Sequence, residues 1–170
     1  MKYGRTSRLS KMRPGEVGAI ETPRNERRLI VCFDPSDERI ADENGICVAG
    51  IDVSAQQPRL VHMDTAHNDY FPVRVFPDDV EFVPVEKTRS TFAHINTDGT
   101  GAIFLGSAGK LWWTNRTGTF FDLTSFKAQT NSPFENGTAF GFCGWRVERF
   151  YRNKVDPWWK FEYSEQIISP

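Results

Sequence analysis

The sequence predicts a mainly β protein. Its antiparallel layers would be small-barrel-like or sandwich-like, with one or two short helices. Three observations predict this. Apolar and polar residues alternate over short runs, as in half-buried strands. Turn dipeptides recur between those runs. Helix start signals are few.

The elements follow in chain order. "PGEVGAIE" turns at Pro14-Gly15 and enters a strand near Val17–Glu21. "RRLIVCFD" is a second strand, closed by Pro35. "ERIADENGICVAGIDVS" reads as two strands around Asn44-Gly45, a dipeptide that accommodates positive φ. "RLVHMD", "FPVRVF" and "VEFVPVE" follow, and Pro84 makes the last an edge strand or a strand end. From "FAHIN" onward, "AIFLG", "KLWWTN" and "TFFDL" are separated by glycine-rich turns, the pattern of an antiparallel meander. Ser132-Pro133-Phe134-Glu135 is a capping box with proline at the first helical position, so one helical turn is expected there. Gly137, Gly141 and Gly144 each disfavour a longer helix by about 1 kcal/mol, so residues 142–151 are expected as strand. "TSFKAQ" is a second candidate short helix. In "WWKFEYS", Trp159, Phe161 and Tyr163 fall on one face of a final strand.

The organisation reads as three parts. Residues 1–13 are a basic arm carrying Lys2, Arg5, Arg8, Lys11 and Arg13 and no acid. Such a run suits nucleic acid, an acidic protein or plain solvent. Residues 14–86 form an acidic, barrel-like half, and residues 90–170 an aromatic-rich meander half, with room for one shared core. Formal charge is uneven: residues 34–86 hold 12 acids against 3 bases, although the whole chain is only −1. Fourteen Phe, five Trp and four Tyr are expected mainly as core fillers for small sheets.

Composition excludes several classes. No apolar run is long enough to span a bilayer, and the first residues lack the apolar centre of a secretory signal. The three cysteines, Cys32, Cys47 and Cys143, form no CxxC pair, so reduced thiols and a cytoplasmic location are expected. The sequons at Asn115 and Asn136 are read as coincidence. No phosphate-loop, dinucleotide, zincin or nucleophile-elbow motif is present.

Two constellations carry chemistry. The first is "HMDTAHND", residues 62–69. His62 and Asp64 share one face if this run is a strand, and His67 lies just beyond. "LVHMDT" at 60–65 is echoed by "FAHINT" at 92–97, which adds His94 and Asn96. Were the two strands neighbours, His62, His94 and Asp64 would supply acid-base groups, and His62, Asp64, His67 and His94 metal ligands. The echo is similar to the paired motifs of two-histidine phosphoesterases, which place Ser or Thr two residues after each histidine. Here Asp64 and Asn96 hold that position, so the chain is not assigned to that family. The second constellation interleaves cations and rings: Trp145, Arg146, Arg149, Tyr151, Arg152 and Trp158. Such mixtures recognise proteins, nucleotides and single strands.

The leading expectation is a non-enzymatic binding or assembly protein. It would meet a protein partner, a second copy of itself or an anionic ligand through the aromatic-arginine surface. Small β modules of this kind occur in bacterial, phage and ribonucleoprotein assemblies, which is analogy at the level of fold. One alternative is a small metal-dependent hydrolase or phosphoesterase centred on His62, Asp64 and His94. Another is a binder of single-stranded nucleic acid or nucleotide. No cofactor is expected apart from that alternative metal, and no membrane partner.

Overall fold

A computed structural model of the chain describes residues 5–21, 23–24, 27–52, 59–69, 71–76, 80–86, 89–92, 101–115, 117–134, 139–142, 144–151 and 154–162. Of these, residues 67–68, 89–92, 139, 149–151 and 154–162 are described by backbone alone. The protein is mainly β, and among the described residues no helix reaches seven residues.

The central strand explains the rest. β3 (Arg27–Pro35) carries the apolar run Leu29–Phe33. Leu29, Val31 and Phe33 enter a large core on one face, while Ile30 and Cys32 enter a smaller core on the other. Burial on both faces is why this run is continuous rather than alternating. β2 (Val17–Glu21) pairs antiparallel along one edge of β3, and β4 (Cys47–Asp52) along the other. β5 (Leu60–Met63) follows β4 at one end of the sheet. At the other end, β6 (Val73–Val75) pairs with β2, and β1 (Arg5–Ser7) pairs with β6.

β3 is longer than β2, and its free end joins the second half of the chain. The N–H of Cys32 bonds the Glu16 carbonyl on the β2 side. Two and four residues later, on that same edge, Asp34 N–H donates to the Phe126 carbonyl (2.8 Å) and Ser36 N–H to that of Ala128 (2.9 Å). This pairs β3 in parallel with β12 (Lys127–Gln129). From β12 the sheet runs through β11 (Phe120–Asp122), β10 (Leu111–Thr114) and β9 (Ile103–Leu105), so the expected strands "AIFLG", "KLWWTN" and "TFFDL" pair in antiparallel order, while residues 93–96 of the expected "FAHIN" strand lie outside the described residues. It ends with β13 (Ala139–Phe142) and β8 (Arg89–Phe92). β7 (Val80–Pro84), β14 (Gly144–Tyr151) and β15 (Lys154–Glu162) form a separate three-stranded sheet. β7 lies on its edge, where Pro84 is tolerated.

Several expectations are corrected. Among the described residues, neither the N-terminal part nor the aromatic part of the large sheet closes into a barrel. The segment before Asn44-Gly45 is turn rather than strand, because Asp42 takes over the local hydrogen bonding: its Oδ1 accepts from Asn44 and Ile46 N–H. "TSFKAQ" is a turn followed by β12, with Phe126 at φ 58° and the Asp122 carboxylate accepting from Thr124 and Ser125 N–H. The Ser132 cap bond forms, to Phe134 N–H at 3.2 Å, but residues 132–134 are not helical, and residues 135–138 lie outside the described residues. Of the strand expected over 142–151, residues 144–151 form β14, while Phe142 ends β13 and Cys143 lies outside the described residues.

The basic N-terminal run is neither an arm nor a solvated tail over residues 5–12. β1 is a sheet strand, and a 3-10 turn at Leu9–Lys11 drives Leu9 into the smaller core beside Met12. These two side chains cover the back of the sheet, and fully burying each is worth about 1.5–3 kcal/mol.

The two halves share the larger core. Phe82 of β7 meets Trp113 of β10 and Trp145 of β14, with ring centroids 5.3–5.5 Å apart. Each such aromatic pair contributes about 0.5–1.5 kcal/mol beyond its buried area.

Candidate functional site

His62 sits on β5, on the same face as Leu60, and leans toward the larger core. Its ring meets Phe121 edge-on at 6.3 Å, and its Nε2 lies 3.4 Å from the Cys47 Sγ. Burial lowers the His62 pKa, and the nearby Asp42 and Asp64 carboxylates only partly offset this. Burial likewise pushes the Cys47 thiol up to about 12. Imidazole and thiol are therefore both held neutral. A Cys–His nucleophile needs the opposite, a thiolate beside an imidazolium.

Asp64 turns away from that pair to cap α1 (Thr65–Asn68), where its Oδ1 accepts from Ala66 N–H at 2.9 Å. Thr65 donates its hydroxyl to Asp42 Oδ2 at 2.6 Å, tying the start of α1 to the turn that precedes β4. "HMDTAHND" thus closes a strand, caps one helical turn and anchors it. The His67 side chain and all of His94 lie outside the described residues, so the expected convergence of His62 with His94 does too. Among the described residues, no three His, Cys, Asp or Glu side chains come together in a way that would hold a metal ion.

The aromatic-arginine set divides. Trp145 is fully buried, and its Nε1 donates to the Gly101 carbonyl at 2.9 Å. It is a core residue and not part of a recognition surface: β14 turns this position toward Phe82 and Trp113. Arg146, on the opposite face of the strand, is half-buried and pairs with Glu148 at 2.9 Å. The side chains of Arg149, Tyr151 and Trp158, and all of Arg152, lie outside the described residues.

A groove of about 1030 Å³ opens at the edge of the N-terminal sheet, lined by Arg5, Thr6, Ser7, Arg8, Lys11 and Asp69 among others. Two hydrogen bonds build it. Ser10 N–H and Oγ both donate to the Asp69 carboxylate, at 2.9 and 2.7 Å, clamping the 3-10 turn onto the end of α1. Burial disfavours charge on Asp69, yet those two bonds and the charges of Arg8 and Lys11 hold its carboxyl below the usual range. Arg5 donates from one guanidinium nitrogen to both oxygens of Glu16, at 2.6 and 2.7 Å, which fixes its side chain. Arg8 and Lys11 are exposed, and neither makes an ion pair among the described residues. The groove therefore presents cations on a braced frame.

Comparison with known proteins finds no matching family model, no similar curated protein and no similar solved structure. The site rests on its own geometry. The basic run was visible in the sequence, but not its partner: Ser10 and Asp69 are 59 residues apart. The available signal was Leu9 and Met12, two apolar residues inside a run of cations. Among the described residues, no helix is long and apolar enough to cross a membrane. Asn115 is buried, with its Oδ1 accepting from Thr119 N–H, which fits the coincidental reading of its sequon.

Proposed function

We propose that the protein is a non-enzymatic binding or assembly module that recognises an anionic partner. The observation that carries this reading is the basic groove, where Arg8 and Lys11 stand exposed on a frame fixed by Ser10, Asp69 and Glu16. The Ser10–Asp69 bonds hold the backbone that carries both cations, so less ordering of the chain remains to be done on binding. Arg149, Tyr151, Arg152 and Trp158 extend the reading as a second contact. A hydrolase centred on His62, Asp64 and His94 has less support, because Asp64 is engaged as a helix cap and His62 packs on Phe121.

The test is fluorescence anisotropy of labelled anionic probes, namely an acidic peptide and an oligothymidylate, at low and at physiological salt. At least one probe should bind, more weakly as salt rises. The double variant Arg8→Glu/Lys11→Glu should lose that binding by about tenfold or more, with its melting temperature unchanged. Binding by the double variant equal to that of the parent would remove the groove from the function.

A further inference from the structure

We propose that the groove takes an extended acidic peptide, which adds as a strand to the open edge of β1. The inference rests on the anionic-partner reading and names the class of partner. Among the described residues, β1 stands at the end of the strand order, with β6 as its neighbour on one side and no strand on the other. An edge strand offers backbone N–H and C=O groups that another chain can pair. Arg5 and Thr6 are exposed, and all three residues of β1 line the groove together with Ala66, Asp69 and Pro72 from the segment that leads into β6.

Charge decides which chain fits. A bare edge also invites pairing with a second copy of itself, and like charges at the edge oppose that. A two-fold pairing of two β1 edges would bring the exposed cations Arg8 and Lys11 of one copy toward those of the other. An acidic segment meets the same cations with attraction. Strand periodicity then places every second side chain of the peptide toward them, so Glu or Asp at alternate positions is the preferred pattern.

The lining argues for peptide over nucleic acid. Among the described residues, the groove lining includes no aromatic ring on which a base would stack. The ionised Asp69 carboxylate lies among the cations and opposes negative charge placed against it, which a peptide with neutral residues between its acids avoids more easily than a continuous polyanion. A backbone edge gains most from another backbone. The groove is open to solvent, and at about 1030 Å³ it exceeds the usual enclosed small-molecule pocket.

The experiment uses the full chain and a fluorescein-labelled hexapeptide of alternating Glu and Thr. Two further peptides carry N-methyl groups on alternate amides, one on each edge of the strand. Anisotropy should show binding. One N-methyl peptide should lose about tenfold or more in affinity and the other little, because an added strand turns one edge to β1. Arg8→Glu/Lys11→Glu should weaken all three. Equal binding of both N-methyl peptides would overturn strand addition and leave the anionic groove standing. Peptide binding undiminished in the double variant would overturn both readings. Tighter binding of a six-nucleotide oligothymidylate would make the partner nucleic acid and overturn the proposal. So would concentration-dependent self-association abolished by the double variant, which would make the occupant a second copy.

Discussion

His62 shows how burial sets the chemistry of a single side chain. Contact with Phe121 and Cys47 takes the ring out of water, so its folded-state pKa lies below the ordinary 6.5. The unfolded chain then binds the proton more readily than the folded one. The contribution of His62 to stability is complete above 6.5 and is lost as pH falls below that value toward the folded one. The negative charges of nearby Asp42 and Asp64 moderate the loss. Urea unfolding between about pH 7.5 and 5.5 should show the parent losing stability as pH drops, and His62→Gln losing less. Equal slopes in the two proteins would mean that His62 is as well solvated folded as unfolded. The carboxylates of Asp69 and Asp122 are held below their ordinary value of 3.8, so their titration falls outside this window.

Between β2 and β6 the spacing is set by an absent side chain. A Cβ at Gly18 would lie 2.8 Å from the Arg74 carbonyl oxygen and 2.8 Å from Val73 Cγ1. At Gly50, on β4, the nearest atoms are the flexible tips of Met63 and Ile30, at 2.6 and 2.8 Å. Backbone cannot step aside as a side-chain tip can. Gly18→Ala should therefore destabilise by about 1–3 kcal/mol, and Gly50→Ala by less, in chemical denaturation of both variants. The reverse order would mean that β6 shifts freely. Strands were the most legible elements in the sequence, because alternation and burial share a period of two. Val17–Glu21 was predicted at its observed limits. Elements governed by one side chain bonding its own backbone were not legible. Asp42 removed an expected strand, Asp122 an expected helix, and Asp64 capped a helix too short to show periodicity. For the candidate site, the sequence displayed the cations but not the frame that turns them into a groove.

At the scale of the molecule, the N-terminal sheet is covered on both faces. One cover is the aromatic sheet, and the other includes the short segment that carries the groove. That segment is a wall of the core and, in the proposed reading, also a binding edge, and the two roles separate by residue. Leu9→Ala should lower stability by about 2–5 kcal/mol, since Leu9 is wholly buried. Arg8→Glu, a change at an exposed position, should stay within about 0.5 kcal/mol of the parent. Thermal melts of both variants check this, and a large loss with Arg8→Glu would tie its charge to the fold. The junction of β3 with β12 has a further consequence, which appears while the chain is being made. Residues 27–35 leave the ribosome long before residues 127–129, and until then Leu29, Val31 and Phe33 lack the aromatic sheet that covers them. A nascent chain stopped near residue 100 would carry a finished edge on a wet apolar face. Such intermediates aggregate, so the last third of the message protects the first.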